Sequence, residues 1–204
     1  MLSVHTKHST VRISNSKMTF RTLRSIYQLK VSLLGVKPLV WRRLLVASSA
    51  NLEELHKTIQ IAMGWTNSHL HVFIKDDVCY GSIEEGAPST FVDESQYRLE
   101  HLLKDEKDSL HYVYDMGDEW EHRIVLEKIL PYNVNTVLPS CVKASRACPP
   151  EDVGGAIGYK AFLEAISDKS HPHHRDMLEW IGGNFDADSI DLTLTNDLLQ
   201  EYCR

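Results

Sequence analysis

The sixteen residues from Tyr112 to Glu127 leave the chain little freedom of local structure. Beyond a polar turn, Trp120, His122, Ile124 and Leu126 alternate with Glu121, Arg123, Val125 and Glu127, a period of two that sends one set to a buried face and the other toward water. The turn chemistry sits just ahead: Gly117 accepts positive φ, and Asp115 and Asp118 can bond their own backbone two residues on. The stretch therefore reads as an antiparallel hairpin and predicts buried Trp120 and Ile124 beside exposed Glu121 and Arg123. It also gathers Asp115, Asp118 and Glu119 beside Trp120 and His122. Such a group is either a functional cluster or a well-made turn in front of a hydrogen-bonded core histidine.

A second hairpin follows from the same alternation. Tyr27, Leu29, Val31 and Leu33 alternate with Gln28, Lys30, Ser32 and Leu34, and Gly35 to Pro38 turns the chain into a strand over 39–46. Arg42 and Arg43 offer guanidinium forks to an anion, but neighbours on a strand face opposite ways and do not grip the same one. Asn51 caps a helix to Met63, with Glu53 and Glu54 at the positive end of its dipole and Gly64 as its stop. Leu52, Leu55, Ile59 and Ala62 form the buried stripe of that helix, flanked by His56.

Residues 69–74 read as a strand that Asp76 and Asp77 turn back into 78–80. The stretch 81–97 reads as loop and 99–103 as one helical turn. After Leu130 the prolines at 131, 139, 149 and 150 mark a long irregular loop, of the kind that is functional or disordered. Helices over 157–166, with Phe162, Leu163 and Ile166 inward, within 170–183, and over 195–202 complete the chain. His171, His173 and His174, beside a helix start, are expected to be exposed. Hairpins with intervening helices, rather than regular strand–helix alternation, define a single-domain α+β fold with a largely antiparallel sheet.

At 204 residues and 43% hydrophobic content the chain can bury one sizeable core, so residues 26–204 are read as one domain. No apolar run reaches the roughly 18 residues of a membrane helix, and no secretory leader is evident, which points to a soluble cytoplasmic protein without a membrane partner. Four scattered cysteines imply thiols rather than a disulfide framework. Residues 1–52 carry nine Lys or Arg and no Asp or Glu, against a net charge of −6 for the whole chain. Residues 1–25 are accordingly read as a disordered basic segment: a solvated tail, a transit peptide or a nucleic-acid arm. Met1 and Met18 are both candidate starts.

His69, His71 and Phe73 share a face if 69–74 is a strand, and histidines at i and i+2 can hold one ion. With His122, Cys141 and Cys148 they make a candidate zinc set, although Cys-x6-Cys lacks the spacing of zinc knuckles. The paired Pro and paired Gly between Cys141 and Gly155 suggest a fixed loop rather than a disordered one. Ordering its backbone costs roughly 1–2 kcal/mol per residue, so contacts must hold it, and Arg146, Glu151 and Asp152 need partners if buried. The expectation is that the loop folds over the hairpin, with carboxylates there for Arg146 and a histidine for Glu151 or Asp152. The candidate site is then Asp115, Asp118, Trp120, His122, Arg146, Glu151 and Asp152.

These residues resemble one pattern, that of the plasmid pRiA4b Orf-three-like family, over about residues 25–190. The resemblance rests on Trp41, Arg42 and Arg43, Leu55 and His56, Gly64 and Trp65, and His69 to His71. To these it adds Tyr114, Asp115, Gly117, Asp118, Trp120 and His122, and then Cys141, Arg146 to Asp152, Gly154, Gly155, Gly158 and Tyr159. Val153 stands where many members carry a third Cys, and Ala144 where Gly is common. The resemblance implies an α+β domain with no assigned function, found in plasmids, transposable elements and prokaryotic chromosomes, and it carries over no catalytic residues. The leading reading is a non-enzymatic binding or interaction module linked to mobile elements, with weak nucleic-acid binding through the basic N-terminal segment; the alternative is a metal-assisted hydrolase with Asp118 or Glu151 as base. Phosphate-loop, dinucleotide and nucleophile-elbow patterns are missing.

Overall fold

The computed structural model describes residues 25–83 and 88–203. The basic segment read as disordered lies outside them, apart from Ser25. The two hairpins form as expected: β1 (Ile26–Leu33) pairs with β2 (Trp41–Ala47), and β6 (Ser109–Tyr114) with β7 (Trp120–Leu130), all antiparallel. β1 also pairs with β7, which joins the hairpins into one sheet. The sheet is extended on one side by β3 (His71–Lys75), β4 (Val78–Gly81) and β5 (Val92–Asp93), and on the other by β8 (Ser140–Ser145). The order is β5-β4-β3-β6-β7-β1-β2-β8, antiparallel except for the short β4–β5 pair. With five helices on this sheet the fold is α+β.

Alternation decides the faces. Trp120, His122, Ile124 and Leu126 are buried, Glu121 and Arg123 exposed. Leu29, Val31, Leu33 and Leu44 join the same core, against the stripe Leu52, Leu55 and Ile59 of helix α1 (Leu52–Met63). Each such side chain contributes roughly 1.5–3 kcal/mol on burial. α1 starts at a full capping box, in which the Asn51 side chain accepts from the Glu54 N–H and the Glu54 carboxylate accepts from the Asn51 N–H, and it stops at Gly64 with φ 101°. Arg42 points into the protein and Arg43 out, each to its own partners, so the two arginines do not converge.

The long loop expected after Leu130 is overturned in part. Residues 140–145 form β8, an edge strand on β2. Pro139 precedes it, a position where a missing N–H costs the sheet nothing. Helix α5 (Leu192–Tyr202) covers this edge: Asn196 accepts from the Cys141 N–H at 2.8 Å and donates to the Cys141 carbonyl at 3.0 Å, in place of a further strand. The remaining helices are α2 (Leu99–Leu102), α3 (Gly155–Ser167) and α4 (His174–Trp180). Phe162 is buried, with Leu163 and Ile166 packed beside the core. His173 is exposed, but His171 and His174 are half-buried, because His174 bonds the Ala165 carbonyl at 2.9 Å. No helix among the described residues is long and apolar enough to cross a membrane.

Candidate metal centre

The turn between β6 and β7 is built on Asp115. It stands at φ 60°, and its Oδ1 accepts from the Gly117 N–H at 2.8 Å and the Asp118 N–H at 3.3 Å. That leaves Oδ2 of a buried carboxylate facing outward, 3.6 Å from Nε2 of His69. The second element is the loop after β8, which folds over the turn as its composition implied. The Gly154 N–H donates to Asp118 Oδ2 at 3.1 Å, and the Trp65 indole donates to the Pro149 carbonyl at 3.0 Å. Glu151 Oε1 accepts from the Thr66 N–H at 2.8 Å, the Thr66 hydroxyl at 3.2 Å and the Tyr114 hydroxyl at 3.1 Å. This clasp sets Asp152, at φ 57°, with its Oδ1 3.1 Å from the same His69 nitrogen.

Nε2 of His69 thus faces Asp115, Asp152 and, at 3.9 Å, Glu151 Oε2, yet it has no water contact and makes no well-directed hydrogen bond. The donor atoms of His69, Asp115 and Asp152 all lie within 4.8 Å of one another, the one such group among the described residues. Ligand atoms about 2.1 Å from an ion stand roughly 3–4 Å apart, so small side-chain rotations bring this set to coordination distance. Asp115 and Asp152 both hold left-handed backbone, a conformation that costs non-glycine residues free energy and clusters at functional sites.

The other expected ligands are elsewhere. The strand begins at His71, not His69, and the two histidines part: Nε2 of His71 meets Glu94 Oε2 at 2.8 Å, and its ring stacks on His56 at 3.4 Å. His56 bonds the Tyr112 hydroxyl and Asn67, and burial followed by the nearby His71 holds its pKa down to about 3. His122 is fully buried beneath the edge of Trp65, with no well-formed hydrogen bond on either nitrogen, and burial holds its pKa down to about 4 against a weaker pull from the Trp120 and Tyr112 backbone. Burial pushes the thiols of Cys141 and Cys148 up, away from thiolate, against the opposing effect of Arg42. His71, His122, Cys141 and Cys148 therefore do not join His69 in one set, because the core claims each of them.

Of the wider candidate group, Asp115, Asp118, Glu151 and Asp152 come together, with Asp118 and Glu151 as clasps. Trp120 is a core side chain whose indole N–H lacks a partner. Arg146 turns away from the hairpin to an ion pair with Asp188. Thr66 and Tyr114 were not among the candidate site residues; the resemblance includes Tyr114, and nothing local marked Thr66.

The chain is similar to known proteins over most of its length. The model of the family described as plasmid pRiA4b ORF-3-like protein matches residues 25–194. The uncharacterised protein y4hQ of Sinorhizobium fredii is 43% identical over 186 residues, covering 88% of this chain and 95% of its own. A crystal structure of a protein of unknown function, MM3350 from Methanosarcina mazei, superposes with a TM-score of 0.76 at 33% identity, covering 84% of this chain and 98% of that one. The chain belongs to the plasmid pRiA4b ORF-3-like family.

Proposed function

We propose that this protein binds one divalent cation between His69, Asp115 and Asp152 and uses it in a metal-assisted hydrolysis. One observation carries the reading: the Nε2 of His69 is shielded from water and faces two carboxylate oxygens without a directed hydrogen bond. The donors are one nitrogen and several oxygens, with no thiolate, a set that suits Mn²⁺ as well as Zn²⁺. Asp152 is 73% exposed, so the outer side of the site is open to water and substrate, as catalytic sites require and closed structural sites do not. Glu151 Oε2 lies 3.9 Å from the same nitrogen and would serve as the general base if the ion activates a water there. Calorimetric titration of metal-free, untagged protein with Mn²⁺ and Zn²⁺ should find one equivalent bound, lost in His69→Ala and Asp115→Asn. Absent binding, or binding unchanged in both variants, removes the reading.

A second reading, a nucleic-acid-binding module, is favoured by the acid-free first 52 residues and fits the mobile-element setting that the resemblance implies. Among the described basic side chains there, Arg42 is buried and Arg43 is paired with Glu127. Lys37 is exposed and Lys30 lies over the Trp41 ring, so these lysines stand beside the basic residues before Ser25 as carriers of the binding. Residues 7–43 would then carry a weak, salt-dependent binding of DNA or RNA, and deleting residues 1–17 should weaken it. Equal binding by the truncated chain at low and moderate salt would exclude the arm.

A further inference from the structure

Beside Asp152 the surface opens into a cleft of about 400 Å³ between α3 and α4, within the roughly 300–1,000 Å³ of small-molecule sites. Its walls are apolar and aromatic: Ala161, Phe162, Met177 and Trp180. Phe162 and Trp180 meet edge to face at 5.7 Å, and Trp180 is left 47% exposed, an aromatic surface that the fold itself does not cover. Asp152, Glu164, His171 and His173 also line it and no Lys or Arg does; the Glu164 carboxylate lies 3.8 Å from Lys160 Nζ, an exposed pair that leaves the cleft net acidic through Asp152. Carboxylates beside the exposed Trp180 ring favour a cation and repel an anion, since a ring face attracts positive charge as well.

We propose that this cleft binds an aromatic group carrying a positive charge, such as an arylalkyl amine. The cleft is tested on metal-free protein at pH 7 with two probes of similar shape and opposite charge, phenethylamine and phenylacetate, read by NMR of the Met177 methyl group. Phenethylamine should bind at least about tenfold more tightly, the effect of one modest charge contact. Ala161→Trp, a change at an exposed position, should abolish binding, and Glu164→Gln should narrow the preference between the probes. Equal binding of phenylacetate, binding of neither probe, or full binding by Ala161→Trp overturns the proposal.

Discussion

Gly155 packs its bare Cα against Asp118 so closely that a Cβ there would stand 2.5 Å from the Asp118 carbonyl oxygen. The loop that carries Glu151 and Asp152 is thereby pressed onto the turn that carries Asp115. Gly155 also takes φ 65°, a conformation costly to a side chain.

Gly155→Ala should therefore lift the loop from the turn. We expect about 1–3 kcal/mol of destabilisation in chemical denaturation, from strain and lost contacts together, with ion affinity weakened in parallel. An alanine variant with wild-type stability and wild-type ion binding would show that the close approach does not hold the site.

Glu151 is the polar half of the same clasp. Glu151→Gln keeps the shape but weakens the charge-assisted bonds from Thr66 and Tyr114, and the expected loss is about 1–3 kcal/mol of stability. Because Glu151 positions its neighbour Asp152, ion affinity should fall by roughly 10–100-fold. Calorimetry and a denaturant series on the same samples read both quantities.

Acid should destabilise the protein through its buried histidines. His122 and His56 ordinarily titrate near 6.5, but burial holds them to about 4 and about 3. Between those values the unfolded chain binds more protons than the folded one, so the stability contribution is complete above about pH 6.5 and is lost progressively as pH falls toward 4 and then 3. For His122 alone the loss amounts to roughly 3 kcal/mol. His122→Leu should flatten the stability profile between pH 6.5 and 4, as measured by melting temperature in a pH series. An unchanged slope in that variant would move the acid sensitivity elsewhere.

The edge of the sheet depends on one side chain. Asn196→Ala leaves the Cys141 N–H and carbonyl without their partner on α5, and should cost about 1–3 kcal/mol. Hydrogen exchange at Cys141 should accelerate more than at Leu29, in the middle of the sheet. Equal protection at both positions would show that α5 does not secure this edge.

Both hairpins, the α1 helix with its Asn51 cap and Gly64 stop, and the burial of Trp120 and Ile124 were legible in the sequence. Each is decided by local chemistry: a period of two, a period of 3.6, a side chain that can cap, a residue free to take positive φ. β8 was not legible, because its pairing depends on β2, nearly a hundred residues earlier, and its flanking prolines are equally at home in a loop. The candidate site divides in the same way. Composition around the turn and the later loop marked Asp115, Glu151 and Asp152, since residues suited to tight turns and costly loops announce themselves. Which histidine those carboxylates would meet was set by packing. His122 had the right neighbours in sequence but lies under Trp65, and His71 is taken by Glu94, because alternation sends both inward to where the core supplies their surroundings. His69 stands just before its strand begins, free of that alternation, and only the packing of the β6–β7 turn and of a loop some eighty residues later places carboxylates around it.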